Sequence, residues 1–359
     1  MKTKKDNIDS QYDNAIEKLQ SDNSDTRIAS FNQLCCIAKE SPDDFKKVIF
    51  DILCAYLRDM PRERSHFTKH GKEYLTEECQ TLLDVLFKPV DMPLLGKFEA
   101  GLHGAYLIRA NLVDAYLKNA NLSNTNFSNA DISNANLSGA KLSGAKLSRT
   151  RLWRADLSDA DLSNANFLSA NLRNANLSNA KLSGADLSNA NLYEANLPDA
   201  NLSNAKLLNA SLYNANLSGV KLLSADLSEA NLSNAKLLRV DLSDAIFYDA
   251  NLSNTNLSNA HIFGVNFMLA NLSNANLSNA YISITNFPGA MLEGANFQKT
   301  RFENINLMKL CNIKNADFRG AKMGKKDISP KDLPTDQGKY IADWTTAEFW
   351  AEVEKNEES

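Results

Sequence analysis

Few residues of this 359-residue chain have the types and spacing that catalysis or metal binding requires. His66 and His70 are four residues apart, a spacing that would put two metal ligands on one face of a helix. Their charged surroundings do not predict a helix, so no metal site is expected. The chain has no Gly-rich phosphate loop, no G-x-S-x-G motif and no Cys/His pair at a catalytic spacing. The sequence therefore predicts neither an enzyme nor a bound cofactor.

The most distinctive surface residues form a series at intervals of 20, which we call the aromatic stripe: Trp153, Arg173, Tyr193 and Tyr213. Basic residues lie near its Trp153 end, and this basic cluster comprises Lys146, Arg149, Arg151 and Arg154. An exposed column of aromatic and Arg side chains has the composition of a protein-interaction hot spot. It is equally the composition of a ladder that stabilises itself by stacking and cation–π contacts. Both interpretations stay open from sequence.

Two further sets of outward residues carry less information. The acids Asp156, Asp161 and Asp186 occupy a position where Asn usually stands, so we interpret them as structural rather than as an acid/base pair. A second series, in which serines separate the apolar members, is expected to be neutral; it comprises Leu168, Leu208, Tyr248 and Met268.

The element that positions these side chains is a repeat of five residues. Every fifth residue from Leu102 to Leu307 is Leu, Phe or Ile, in 42 consecutive units, and a small residue, mostly Ala, stands two positions earlier. Successive leucines would lie about 140° apart on an α-helix and on opposite faces of a strand, so neither element buries the pattern. A chain that turns a corner in each unit does bury it. Four such units close one square coil, and stacked coils make a solenoid.

Unusual core residues support a coil of four units. Five of the seven core phenylalanines share one column, namely Phe127, Phe167, Phe247, Phe267 and Phe287. A second column contains Ile262, Ile282 and Phe302. Rings in successive coils are expected to stack. The register slips once between Leu307 and Ile313, with Leu310 as the extra residue, so the last coil is expected to be irregular.

The repeat, as in Ala135-Asn136-Leu137-Ser138-Gly139, closely resembles the pentapeptide-repeat family. The resemblance implies a mainly β fold, a right-handed quadrilateral β-helix over residues 101–325. The central Leu and the preceding Ala would point inward, and the other positions outward. About 10.5 coils at a spacing of ~4.8 Å predict a rod roughly 50 Å long.

Residues 1–88 have a different pattern, which predicts four α-helical segments. These are Ile8–Leu19, Asp25–Lys39, a third that Ser41-Pro42 begins and that ends before Pro61, and a fourth that begins at Thr76. The apolar face of the third is expected to include Val48. The segment resembles the HEAT-like helical module that precedes the repeats in many bacterial members. It could simply cap the first coil, or it could be a separate binding domain.

Residues 89–100 are interpreted as a Pro-marked junction, and residues 326–359 as a linker followed by a short helix that Thr345 begins. The apolar residues of this tail are Trp344, Phe349, Trp350 and Val353. They are expected either to fold over the last coil or to form a homodimer contact; C-terminal helices dimerise some pentapeptide-repeat proteins.

Composition bounds the partners and the location. The absence of an 18-residue apolar run and of an apolar segment after the first lysines predicts neither a transmembrane helix nor a secretory signal. An odd number of cysteines without a C-x-x-C pair fits a reducing compartment, the cytoplasm; they are Cys35, Cys36, Cys54, Cys79 and Cys311.

Charge separates the functional hypotheses. Residues 101–325 contain 20 Lys and Arg against 16 Asp and Glu, a net charge of +4. A DNA mimic that binds a type II topoisomerase, as pentapeptide-repeat proteins of the quinolone-resistance type do, needs a negatively charged rod. Direct nucleic-acid binding needs more positive charge than the basic cluster supplies. We therefore expect a non-catalytic scaffold that binds an unidentified protein, with the topoisomerase-binding mimic as the alternative.

Overall fold

The computed structural model describes residues 4–62, 66–69, 72–88, 98–307, 310, 312–328 and 332–333. The chain divides into two compact units, residues 1–171 and 172–359, and each is described by itself. The predicted tail helix, with Trp344, Phe349, Trp350 and Val353, lies outside the described residues.

The first unit begins with α-helices at all four predicted places: α1 (Lys4–Lys18), α2 (Ser24–Glu40), α3 (Pro42–Asp59) and α4 (Glu77–Phe87). Side chains cap two of them, because Asn23 Oδ1 accepts a hydrogen bond from the Thr26 N–H (2.9 Å) and Thr76 Oγ1 accepts one from the Cys79 N–H (3.4 Å). These caps fix where α2 and α4 start.

Two details of α3 differ from the sequence prediction. Ser41 stands directly before the helix, but its side chain makes no capping hydrogen bond. The Ser41 N–H donates to Ile37 O at the end of α2. Ser41 is the single residue that joins the two helices. Val48, predicted on the apolar face, is 47% exposed. The buried face runs through Ile49, Leu53 and Leu57, and Val48 lies on its flank.

A hairpin that the sequence did not indicate lies between α3 and α4. Strands β1 (His66–Lys69) and β2 (Lys72–Leu75) pair antiparallel. The hairpin contacts the coils: the buried His66 donates from Nε2 to Ile108 O (3.0 Å), and Tyr106 donates to Glu73 Oε2 (3.1 Å). Burial lowers the pKa of His66, which favours the neutral imidazole in this contact.

Helix α4 contacts the coils through hydrogen bonds to the backbone. The Gln80 amide donates to Asn111 O (2.8 Å) and accepts from the Asn111 N–H (2.9 Å). The Tyr116 N–H donates to Phe87 O (2.9 Å). These bonds satisfy backbone groups that the first coil would otherwise present as an unpaired edge.

The repeat in the first unit folds as parallel coils of four repeat units each, as predicted. Bridges link equivalent positions of successive coils, from Gly101 with Asn121 to Arg151 with Asn171. The ladder is regular; for example, the Leu102 N–H donates to Asn121 O at 2.9 Å. The core Leu and Ile residues and the preceding Ala residues are buried, which confirms their inward orientation.

The second unit repeats the same arrangement from Leu172 onward. Parallel bridges run from Asn176 with Asn196 to Asn296 with Asp317. Phe267 stacks on Phe247 and on Phe287, with ring centroids 5.2 Å apart in both pairs. The predicted stacking in this column is therefore confirmed.

The corner of each coil uses a left-handed backbone conformation. The last residue of almost every unit has a positive φ, near 58° at Asn124 and Asn254, and the next N–H bonds the carbonyl three residues back. A positive φ at this place is what a type II turn requires, and it favours Gly and Asn. Asn, Asp and Gly accordingly occupy most of these positions.

The last coils of the second unit form a five-stranded sheet on one face. Its strands, in spatial order, are β3 (His261–Phe263), β4 (Tyr281–Ser283), β5 (Arg301–Glu303), β6 (Lys322–Met323) and β7 (Lys326–Asp327). Strands β3 to β6 are parallel, and β7 turns back antiparallel to β6. Tyr281 pairs with Arg301, but Arg301 pairs with Lys322, one position further than the regular repeat. The extra residue predicted near Leu310 is therefore absorbed between β5 and β6.

None of the helices in the described part of the chain is both long and apolar enough to cross a membrane.

Candidate functional site

The aromatic stripe in the second unit is a stacked column on the coil surface. Arg173 places its guanidinium carbon 4.5 Å from the centroid of the Tyr193 ring. The ring of Tyr193 stacks on that of Tyr213, with centroids 5.5 Å apart and planes 18° apart. Each member follows a buried core Leu, so its side chain points outward. The structure brings these three predicted residues together in consecutive coils.

Backbone pairing holds the column in register. The Asn174 N–H donates to Tyr193 O (3.0 Å), and the Glu194 N–H donates to Tyr213 O (2.9 Å). The Tyr193 N–H bonds Asn191 Oδ1 (3.0 Å), which fixes the corner from which the ring projects. The rings are half-buried and Arg173 is exposed. The stripe is thus a preorganised surface whose rings are positioned by the ladder beneath them.

The phenol of Tyr193 stays protonated at neutral pH. A side-chain hydrogen bond with Glu194, together with the charge of that carboxylate, raises the pKa of Tyr193. The stripe can therefore offer a cation, two aromatic rings and the neutral hydroxyl of Tyr193 to a partner. Arg173, Tyr193 and Tyr213 do not include a nucleophile paired with a base.

Trp153 and the basic cluster belong to the first unit. The Arg154 guanidinium carbon lies 4.4 Å from the centroid of the half-buried Trp153 ring. Arg151 Nε donates to Asp131 Oδ2 (2.9 Å) in the preceding coil, which neutralises part of the cluster. Lys146 and Arg149 complete the cluster on the outward positions of neighbouring units. The local field is therefore less positive than the four basic residues alone would suggest.

The acids of the repeat have structural roles, as predicted. One carboxylate oxygen of Asp156 accepts from the Ser158 N–H (3.1 Å), and Asp186 bonds the Ser188 N–H in the same way (3.0 Å). These are local turn hydrogen bonds that Asn makes in other units. No group of three His, Cys, Asp or Glu side chains suited to a metal occurs among the described residues; His70 lies outside them.

Exposed apolar side chains are concentrated on the late coils of the second unit, where the repeat pattern does not predict a binding surface. Tyr248 and Met268 belong to the second predicted series, but five more exposed large apolar residues lie between positions 246 and 291: Ile246, Phe263, Leu269, Ile284 and Met291. The sequence pattern did not reveal them because they occupy several different outward positions of the repeat. The second series contains only residues at one of these positions, the one directly after the core residue. Counting apolar residues at all outward positions would have found them.

The repeat region matches a known protein family. Eight copies of a profile described as pentapeptide repeats match within residues 100–222, 225–262 and 266–307, which together exceed half of the chain. No curated protein matches significantly.

Several solved structures of pentapeptide repeat proteins are similar. HetL of the cyanobacterium Nostoc sp. strain PCC 7120, involved in heterocyst differentiation regulation, is 32% identical, and the match covers 62% of this chain and 91% of HetL with a TM-score of 0.45. A protein of the Arabidopsis thaliana thylakoid lumen is also 32% identical, over 31% of this chain and 66% of its own, with a TM-score of 0.16. Full-length QnrB1, a plasmid-mediated fluoroquinolone resistance protein, is 18% identical over 53% of this chain and 92% of its own, with a TM-score of 0.25. At these TM-scores no function is carried over.

Proposed function

Because this chain belongs to the pentapeptide-repeat family, we propose that it is a non-catalytic scaffold that binds another protein through the aromatic stripe. The observation that carries the proposal is the stacked column of Arg173, Tyr193 and Tyr213 on an otherwise Ser- and Asn-rich surface. Arg and Tyr are enriched at the residues that dominate binding energy in protein interfaces.

Preorganisation supports this role. A side chain that is already fixed loses little conformational entropy when a partner binds. Tyr193 and Tyr213 are held by each other and by the backbone ladder, and Arg173 lies against Tyr193. The ordering cost at the surface has thus been met largely during folding.

The test is affinity capture from native lysate with three proteins side by side. The first is the wild type. The second carries Trp153→Ala, Tyr193→Ala and Tyr213→Ala. The third is a matched control, with Leu168→Ala, Leu208→Ala and Leu223→Ala, which change exposed residues at the equivalent outward position of other faces. Bound proteins are identified by mass spectrometry and then reassayed as purified components.

We expect a partner that the wild type and the control retain and the stripe variant loses. Equal recovery by all three proteins would contradict the stripe as the binding surface. Recovery of type II topoisomerase subunits would replace the scaffold by the DNA-mimic hypothesis, despite the net charge of +4 over residues 101–325. A steep loss of binding between low and moderate salt would point to nucleic acid instead.

The helical module and the tail have secondary roles in this proposal. We propose that the module, as a HEAT-like stack, mainly caps the first coil, and its hydrogen bonds to Ile108 and Asn111 support that role. For the tail, the first role is to fold over the last coil. The alternative is a homodimer contact through Trp344, Phe349, Trp350 and Val353. The cytoplasm is the proposed location, and the free thiols of Cys35, Cys36, Cys54 and Cys79 are consistent with it.

A further inference from the structure

The strongest unexplained feature of the molecule is an exposed apolar surface on the late coils of the second unit. It comprises Ile246, Tyr248, Phe263, Met268, Leu269, Ile284 and Met291, which we call the apolar surface. All of them lie between positions 246 and 291, a little over two coils of the repeat. Isolated exposed apolar residues need no explanation, but a concentration of them marks a place where something binds.

Backbone strain singles out the same surface. Leu269 (φ 61°) and Ile284 (φ 50°) occupy the left-handed corner position. They are the only apolar residues among the described non-glycine residues with positive φ; the others are polar or charged. A β-branched residue is a real outlier there, because its Cβ substituents crowd the backbone. Backbone strain of this kind clusters at functional sites, which supports a role for this surface beyond folding.

The members are adjacent through the ladder. Phe263 of β3 pairs with Ser283 of β4, and Ile284 follows directly. Met268 O accepts a hydrogen bond (3.0 Å) from the N–H of Asp249, the residue after Tyr248. Tyr248 and Met268 therefore lie in neighbouring coils. The Leu269 side chain extends over Gly289, where an added Cβ would come within 2.7 Å of it. The surface therefore continues from the sheet face around the next corner.

The described chain ends beside this sheet. Strand β7 is the last strand, and the Ile328 N–H donates to Ala321 O (3.0 Å) just before β6. Leu333, the last described residue, is buried. From β7, three strand spacings of ~4.8 Å lead back to β4 and four lead to β3, or about 14 and 19 Å. Residues 334–343 can span up to about 33 Å when extended.

We propose that the segment 334–359 folds back along its own molecule and covers the apolar surface with Trp344, Phe349, Trp350 and Val353. This inference is independent of the proposed function of the aromatic stripe. The segment has the required composition, because it holds two of the three Trp residues of the chain among mostly polar neighbours. Covering the apolar surface removes apolar area of both partners from water, and attachment to the same chain makes the contact intramolecular.

The test uses the full chain with Trp153→Phe, so that fluorescence reports only Trp344 and Trp350. A patch variant adds Phe263→Lys and Met268→Lys. A matched control adds Leu223→Lys and Leu208→Lys, exposed apolar residues of the same two columns two and three coils earlier. Emission maximum, acrylamide quenching and sedimentation are measured at several protein concentrations, and circular dichroism verifies folding.

We expect the parent protein to be a monomer whose emission is blue-shifted and protected from the quencher. The control should behave in the same way. In the patch variant the emission should shift to the red and lose its protection. Solvent-exposed emission in the parent protein would overturn the proposal. So would a blue shift that the patch variant retains. Emission that shifts to the blue only as a dimer forms would assign the tail to a second copy and equally reject the intramolecular contact.

Discussion

Tyr193 and Tyr213 occupy the same position in successive coils, and their rings stack with centroids 5.5 Å apart and planes only 18° from parallel. The coil produces this contact, since the backbone ladder joins equivalent positions of neighbouring coils. A ladder of this kind can serve folding, binding or both. The two roles differ in how much free energy of unfolding the rings contribute.

We predict a small contribution. Tyr213→Ala should lower the free energy of unfolding by about 1 kcal/mol, and a double-mutant cycle with Tyr193→Ala should give a coupling of about 0.5–1.5 kcal/mol. Urea unfolding of the four proteins measures both. A coupling well above this range would mean that the stripe is built chiefly for stability and would weaken its use as a binding surface.

Replacement of a core leucine should have a much larger effect. Leu187 is fully buried, and its N–H donates to Lys206 O (2.7 Å). Leu187→Asp would place a carboxylate in the stacked core without a partner, so we expect a loss greater than the roughly 2–5 kcal/mol of Leu187→Ala. The measurement is thermal unfolding of both variants. An unchanged melting temperature for Leu187→Asp would contradict the inward orientation of the core leucines.

The core of the coils could be predicted from sequence because it depends on a single rule. A period of five with a small residue two positions earlier determines which side chains are buried, and the shared column of Phe247, Phe267 and Phe287 indicates the coil length. Both features involve only the side chains in the core of the coils. Neither depends on the order of polar residues at the surface.

The surface was harder to predict, for physical reasons. The β1–β2 hairpin is short and polar, so it has no hydrophobic alternation to reveal it. The apolar surface draws on several outward positions and becomes apparent only when neighbouring coils are superimposed. The left-handed corner, by contrast, had a readable signal, because Asn, Asp and Gly fill the last position of most units.

The buried ion pair of the helical module should be sensitive to removal of either partner. Arg27 Nε donates to Glu78 Oε1 (2.7 Å), and Tyr56 donates to the same oxygen (2.8 Å). The two charged side chains are only 6% and 4% exposed. Glu78→Gln leaves the guanidinium without its counterion, and we expect a cost of about 3–5 kcal/mol.

Replacing both charges should be far milder. In Arg27→Met with Glu78→Leu, neither a charge nor its desolvation cost remains, so most of the stability should return. Chemical denaturation of the single and double variants makes the comparison. A double variant as unstable as the single one would mean that the module depends on the hydrogen bonds rather than on charge neutralisation.

The strained corner at Ile284 gives a prediction with the opposite sign. Ile284→Asn places the usual residue at a positive φ and should stabilise the protein by about 1 kcal/mol. If the tail covers the apolar surface, part of this gain is lost with the contact. The reverse change at an equivalent corner away from that surface is the cleaner test, and the free energy of unfolding is measured. Asn254→Ile should lower it by about 1 kcal/mol, while Asn254→Gly should not.

Acid should weaken the coils through a few aspartates. Partial burial would raise the pKa of Asp131, but hydrogen bonds from Ser133 and the Arg151 guanidinium outweigh it and lower the pKa. The same balance of burial against hydrogen bonds lowers the pKa of two further carboxylates, Asp241 beside Ser243 and His261, and Asp317 beside Arg319 and Gln298.

The sign of the resulting pH dependence follows from these lowered values. A lowered pKa in the folded state contributes stability that is fully present above the unfolded value, near 3.9, and is lost as the pH falls through the folded value. Asn at positions 131, 241 and 317 keeps the turn acceptor and cannot titrate. The triple Asp→Asn variant should therefore lose less stability than the wild type between about pH 5 and pH 2. Parallel acid unfolding curves for the two proteins would show that these aspartates do not contribute to the pH dependence.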